Sequence, residues 1–112
     1  MIVLFRQEKL KKLTDSKSEL ARKYGDRQAT IILVRLNALR AAENLEEIRF
    51  SVGCRCHELK ADRAGQLSVD LVHPHRLIFE PANEPIPYKS DGGLDWKLVT
   101  EIRILEVVDT HG

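Results

Sequence analysis

The stretch HELKADRAGQLSVDLVHPHRLIF, residues 57–79, decides how the rest of the chain is read. Residues 66–72 alternate, with Leu67, Val69 and Leu71 on one face and Ser68 and Asp70 on the other, the period-two signature of a half-buried strand. Residues 76–80 form a second strand candidate. Between them, Pro74 in Val72-His73-Pro74-His75 removes a backbone donor and fixes φ, so the chain is expected to reverse there, leaving His73 and His75 in solvent. The polar loop Ala61-Asp62-Arg63-Ala64-Gly65 precedes the first strand and would present Lys60 and Arg63 beside Arg76, a candidate anion site. A plainer reading stands beside it, in which Arg76 only pairs with Asp70 across the hairpin.

Beyond the hairpin, Pro81, Pro85, Pro87 and Asp91-Gly92-Gly93 mark a long irregular connection over residues 81–99, which Trp96 is expected to pin by burying its ring. Residues 101–108 resume strand character. Their apolar positions change parity between Ile104 and Leu105, which predicts a bulge or burial on both faces of a central strand.

Toward the other end, Ile2 to Phe5 reads as a strand of the same sheet. Leu10, Leu13, Leu20 and Tyr24 recur at helical offsets among lysines, and Ser16 with Glu19 makes a capping-box pattern that predicts two helical pieces ended by Gly25. Asp26 is the expected N-cap of the next helix, whose Ala29, Ile32, Leu33, Leu36 and Leu39 follow a buried stripe. Asn44 caps a short turn through Leu45 and Ile48, after which Val52-Gly53 is expected to return the chain to extended structure. Helices first and antiparallel strands later predict an α+β fold, with N-terminal helices packed on one face of a small, mainly antiparallel twisted sheet whose other face is free.

A chain of 112 residues predicts one domain over its whole length, 1–112. Its longest apolar runs are too short for a membrane span, and the first five residues are too short for a signal peptide's apolar region, so the expected location is the cytoplasm. Cys54 and Cys56 are one residue apart, a spacing that would strain a disulfide and close almost no loop, so reduced thiols are expected. C-x-C-H lacks the paired four-ligand spacing of a structural zinc site, and neither metal nor cofactor is expected. The net charge is only +1, yet residues 1–40 carry ten Lys or Arg against four Asp or Glu, and residues 41–112 carry eight against thirteen. A basic first part suits a phosphate backbone and equally suits a solvated helix face.

The spacing HxLKxDRxG, followed by a strand, a turn and R-[LI]-x-F, resembles the RelE/ParE toxins of bacterial toxin-antitoxin modules, and within them the HigB-type killer proteins. The match extends to Ile104-Leu105-Glu106-Val107-Val108-Asp109-Thr110-His111, which is similar to a final strand closing in Asp-Tyr-His, with Thr110 where the family has tyrosine. The insertion over residues 81–99 is a second departure from the shortest members. The resemblance implies a metal-independent, ribosome-dependent endoribonuclease acting on mRNA. It also implies a cognate HigA-like helix-turn-helix antitoxin as partner, with operator DNA contacted only through that antitoxin.

Under this resemblance Lys60, Arg76, Asp109 and His111 are the catalytic candidates, and His57 and Arg63 the RNA-binding ones, converging on the free face of the sheet. The residue types suit the chemistry. Cutting RNA without a metal requires activating the ribose 2′-OH, stabilising charge on phosphorus and protonating the departing 5′-oxygen. Lys60 and Arg76 are fixed cations for that charge, His111 and His57 exchange protons near neutral pH, and Asp109 orients a histidine or acts as base. Two alternatives stay open: a non-catalytic inhibitor on the same fold, like the ParE branch that poisons DNA gyrase by binding, and a basic module that pairs with an acidic partner protein.

Overall fold

The computed structural model describes residues 1–109. The chain begins with strand β1 (Ile2–Phe5) and two short helices, α1 (Glu8–Thr14) and α2 (Lys17–Tyr24). Helices α3 (Asp26–Ala41) and α4 (Leu45–Arg49) follow. Strands β2 (His57–Glu58), β3 (Leu67–Asp70), β4 (His75–Pro81) and β5 (Glu101–Asp109) complete it, with 3-10 turns at Ala61–Arg63 and Trp96–Leu98. The five strands form one sheet in the order β1-β5-β4-β3-β2. Only the β1–β5 pair is parallel; the rest are antiparallel. This is the α+β arrangement expected from the order of helical and alternating segments.

Local chemistry accounts for the helix boundaries. Ser16 accepts a bond from the Glu19 backbone N–H at 3.4 Å and starts α2, so the basic N-terminal segment is two helices, as its capping pattern predicts. Gly25 takes the cap position of α3 with φ of 89°, a conformation open to glycine, and Asp26 moves into the first turn, where its charge favours the positive helix end. The expected N-cap is therefore displaced by one residue. Asn44 caps α4, accepting from the Glu47 N–H at 3.3 Å.

Ala29, Ile32, Leu36 and Leu39 of α3 are buried with Leu20 of α2 against Leu67, Val69, Leu77, Phe79, Ile102 and Ile104 of the sheet. These side chains form the core, on the helix side of the strands. Trp96 is buried, donates Nε1–H to Glu58 at 3.1 Å and carries the Arg49 guanidinium 4.0 Å from its ring centroid, so it does pin the long connection. The register of β4 against β5 shifts between Ile78 and Phe79, where Leu105 has no opposite number. That bulge is the parity change seen in the sequence. One expectation fails nearby: the chain stays in turns through Cys54 and does not become extended at Val52-Gly53.

Candidate functional site

The face of the sheet away from the helices is organised in three cross-strand rows. One runs Asp70, Arg76, Val108; the next His57, Ser68, Ile78, Glu106; the third Glu80, Arg103, Leu4. This face is not free along its middle row, because Ser68 and Ile78 are fully buried there. The loop before β3 is bonded to the far end of this row. Arg63, at the end of the first 3-10 turn, donates to Gln66 at 3.1 Å and to Glu106 at 3.4 Å, and so spans the row from the β3 side to β5.

Charge is distributed along the rows as arginines sharing carboxylates. Arg55 and Arg76 approach Asp70 at 3.5 and 3.6 Å, Arg63 and Arg6 approach Glu106 at 3.4 and 3.8 Å, and Arg103 bonds Glu80 at 2.9 Å. Five arginines thus share three carboxylates, and Glu101, two residues before Arg103 on the same strand, adds a fourth carboxylate to this face. The pairs of Glu106 with Arg6 and Arg63 are partly exposed, and pairs of that kind contribute little to stability.

The first row closes into a cleft of about 150 Å³ lined by Arg55, Asp70, Leu71, His73, Pro74, His75 and Arg76. His57 is fixed beside it. Its Nδ1 lies 3.0 Å from the Arg55 carbonyl oxygen, which can only accept, so Nδ1 carries the hydrogen and Nε2 accepts from Arg76 Nη1 at 3.3 Å. Asp70 Oδ1 is buried and lies beyond hydrogen-bond distance of Arg76 Nε, so the pair is held by charge and leaves the guanidinium donors partly unspent. A larger cleft, about 440 Å³, opens at the other end of the face between Gln66, Glu80, Asn83, Ile86 and Arg103. Its polar groups are already committed, Glu80 to Arg103 and Asn83 to the backbone of Thr100 and Glu101, and it gathers no excess of cations.

The sequence candidates are placed as follows. His57 and Arg76 meet directly. Arg63 turns to Glu106, and Lys60 is exposed at the cap of the 3-10 turn. Strand β5 does lie beside the hairpin, and its register puts Asp109 opposite His75, one residue beyond the Arg76–Val108 pair. By strand alternation Asp109 therefore shares a face with His75 and not with Arg76. Thr110 and His111 lie outside the described residues. His73 is exposed as expected, whereas His75 is half-buried, because its N–H and C=O close the turn onto Val72 and Leu71.

Three contributors were passed over in the sequence. Arg55 sits between the two cysteines, in a stretch with no periodic pattern to mark it. Gln28 and Arg35, seven residues apart on α3, flank an apolar stripe, and polar residues beside a core stripe are the signal that finds them. Both cysteines are unpaired thiols, and burial raises both, Cys56 to about 12. Among the described residues no three His, Cys, Asp or Glu side chains gather as a metal would need, and no helix is long and apolar enough to cross a membrane.

No protein-family model and no curated protein matches the sequence. Among solved structures, the YoeB/ParE toxin from Agrobacterium tumefaciens is similar, with a TM-score of 0.59 and 12% identity over 99% of this chain and 100% of that one. At that identity the likeness is one of fold, and it spans the whole length of both chains.

Proposed function

We propose that this chain is a cytoplasmic, single-domain toxin of a type II toxin-antitoxin module, of HigB type, that cleaves mRNA on the ribosome without a metal. The observation that carries the reading is the cleft where Arg55 and Arg76 converge on one carboxylate beside His57, on the open face and next to the final strand. In the proposed step the ribose 2′-oxygen attacks the adjacent phosphorus. The P–O2′ bond forms, the P–O5′ bond breaks, the 2′-OH proton passes to a base and the 5′-oxygen takes one from an acid. Arg76 and Lys60 stabilise the charge on the phosphoryl oxygens, with His57 and Arg63 holding the RNA. Asp109 and His111 handle the protons, an assignment resting on their match to the family's closing motif. A ribosome that orients the message would supply positioning that so small a protein lacks.

A HigA-like helix-turn-helix antitoxin is the proposed partner, and operator DNA is reached only through it. One observation favours the non-catalytic, gyrase-binding alternative: Arg55 and Arg76 are already neutralised in part by Asp70, as suits a protein-docking surface. Expression of the chain alone separates the two. Growth arrest with cleaved message, relieved by Lys60→Ala or Arg76→Ala, supports the ribonuclease; arrest with intact message and blocked supercoiling supports the alternative.

A further inference from the structure

The segment that presents Arg55 is held by three consecutive carbonyl groups, each bonded to a different partner. The Gly53 oxygen accepts from Arg35 Nη2 at 2.9 Å, the Cys54 oxygen from the Asp70 N–H at 2.7 Å, and the Arg55 oxygen from His57 Nδ1 at 3.0 Å. Arg35 belongs to α3, behind the sheet. It donates a second bond, Nε to the Asp70 carbonyl oxygen, at 2.6 Å. One guanidinium thus ties the backbone bearing Asp70 to the backbone leading to Arg55, whose side chains face each other across 3.5 Å in the cleft. Two turns earlier on the same helix, Gln28 holds the opposite wall: its Oε1 accepts from the Val72 N–H at 2.8 Å and its Nε2 donates to the Val72 oxygen at 3.3 Å.

The fit around Arg35 is close. Gly53 has φ of 84°, and a Cβ there would stand 3.1 Å from Arg35 Nη2, so a side chain at this position would press on the guanidinium. Arg55 itself has φ of 45°, a conformation that a non-glycine residue keeps only when its surroundings hold it. An arginine is suited to the task because its planar fork reaches two acceptors at once, which a lysine ammonium on a flexible stem does not do with the same geometry. Among the described residues Arg35 pairs with no carboxylate, so its donors serve backbone carbonyls alone.

We propose that Arg35 is a positioning residue for the phosphate cleft, acting from behind the sheet through Arg55, with Gln28 holding the other wall. This deepens the reading of the cleft as an RNA phosphate site and rests on it for function, although the structural part can be tested without RNA. It predicts that the loss of Arg35 and the loss of Arg55 are one loss.

The test has two readouts, one on the Arg35 variants alone and one through a double-mutant cycle on Arg35→Met and Arg55→Ala. The first is the NMR signal of the Arg55 side-chain Nε–H in the protein without RNA, followed beside the unfolding transition. The second is the affinity for a 2′-O-methyl RNA trinucleotide, which binds and cannot be cut by 2′-OH attack. Arg35→Met is expected to shift or broaden the Arg55 signal while unfolding stays cooperative. Each single variant is expected to weaken binding about tenfold, the worth of one charge-assisted hydrogen bond, and the double variant no further. Arg35→Lys, which keeps the charge and so avoids the cost of removing it, should restore neither readout. An unchanged Arg55 signal in both Arg35 variants, restoration by lysine, or losses that multiply in the double variant would overturn the proposal. If the unaltered protein fails to bind the trinucleotide, the RNA reading fails, and the Arg55 signal still decides whether Arg35 positions it.

Discussion

Arg76 donates from Nη1 to Nε2 of His57 at 3.3 Å, and its Nε stands 3.6 Å from Asp70, so one guanidinium joins a strand at the sheet edge to its neighbour in the row. The hydrogen bond fixes the imidazole with its lone pair toward the arginine and its Nδ1–H toward the Arg55 carbonyl. Replacing Arg76 by alanine is expected to lower message cleavage about 100-fold, the usual scale for losing one donor to developing charge. Arg76→Lys is expected to recover little, because a point charge cannot serve His57 and a phosphate together. Single-turnover cleavage rates on ribosome-bound message check both.

Glu106 holds Arg63 and Arg6 together on the open face, and under the proposed function an RNA phosphate would compete with it for both. Glu106→Gln is expected to raise RNA affinity severalfold at low salt. The slope of log affinity against log salt should steepen by about 0.7, the contribution of one further phosphate contact on a single strand. Unfolding should barely move, since these pairs are exposed. A filter-binding series in salt measures the slope.

The hairpin's alternation, the central strand and its bulge, the two-piece basic helix and the pinning role of Trp96 are all legible in the sequence, because each depends on neighbours in the chain. Alternation and caps are local properties. The middle row of the open face is not legible in that way. Ser68 reads as a solvent-facing serine in an alternating strand, yet it is buried, in the row whose far end at Glu106 holds Arg63, forty-three residues away from that carboxylate in sequence. Arg35 is hidden for the same reason: nothing near it in sequence says that its guanidinium meets the carbonyl oxygens of Gly53 and Asp70. The resemblance brings Asp109 into one site with Arg76, whereas the strand register sets it one residue on, opposite His75.

Ser68 also yields a stability prediction. Its Oγ is buried and has no protein hydrogen-bond partner among the described residues, and a buried hydroxyl without a partner costs stability. Ser68→Ala is expected to stabilise the protein by about 1 kcal/mol, seen as a higher urea midpoint with an unchanged slope. A lower midpoint would show that the hydroxyl is satisfied by buried water.

The Cys56 thiol is pushed up to about 12 from an ordinary value of 9.0, chiefly by burial and then by Cys54 alongside it. The thiol therefore stays protonated in the fold across the range in which it ionises in the unfolded chain. Its share of stability is fully present below pH 9.0 and is lost as the pH rises toward 12. Alkylation by iodoacetamide at pH 8 is expected to be slow in the folded protein and fast in urea, and Cys56→Ser should flatten the alkaline decline in unfolding midpoint.

The central claim is that this fold cuts RNA through the 2′-OH. The most direct measurement is the chemistry of the ends left on a defined message cut on translating ribosomes, with a matched message carrying a single 2′-deoxynucleotide at the cut site. The account predicts a 2′,3′-cyclic phosphate upstream, a 5′-hydroxyl downstream, and no cut at the deoxy position. Ends bearing 3′-hydroxyl and 5′-phosphate, unimpaired cutting of the deoxy message, or a message left intact by an active toxin would contradict it.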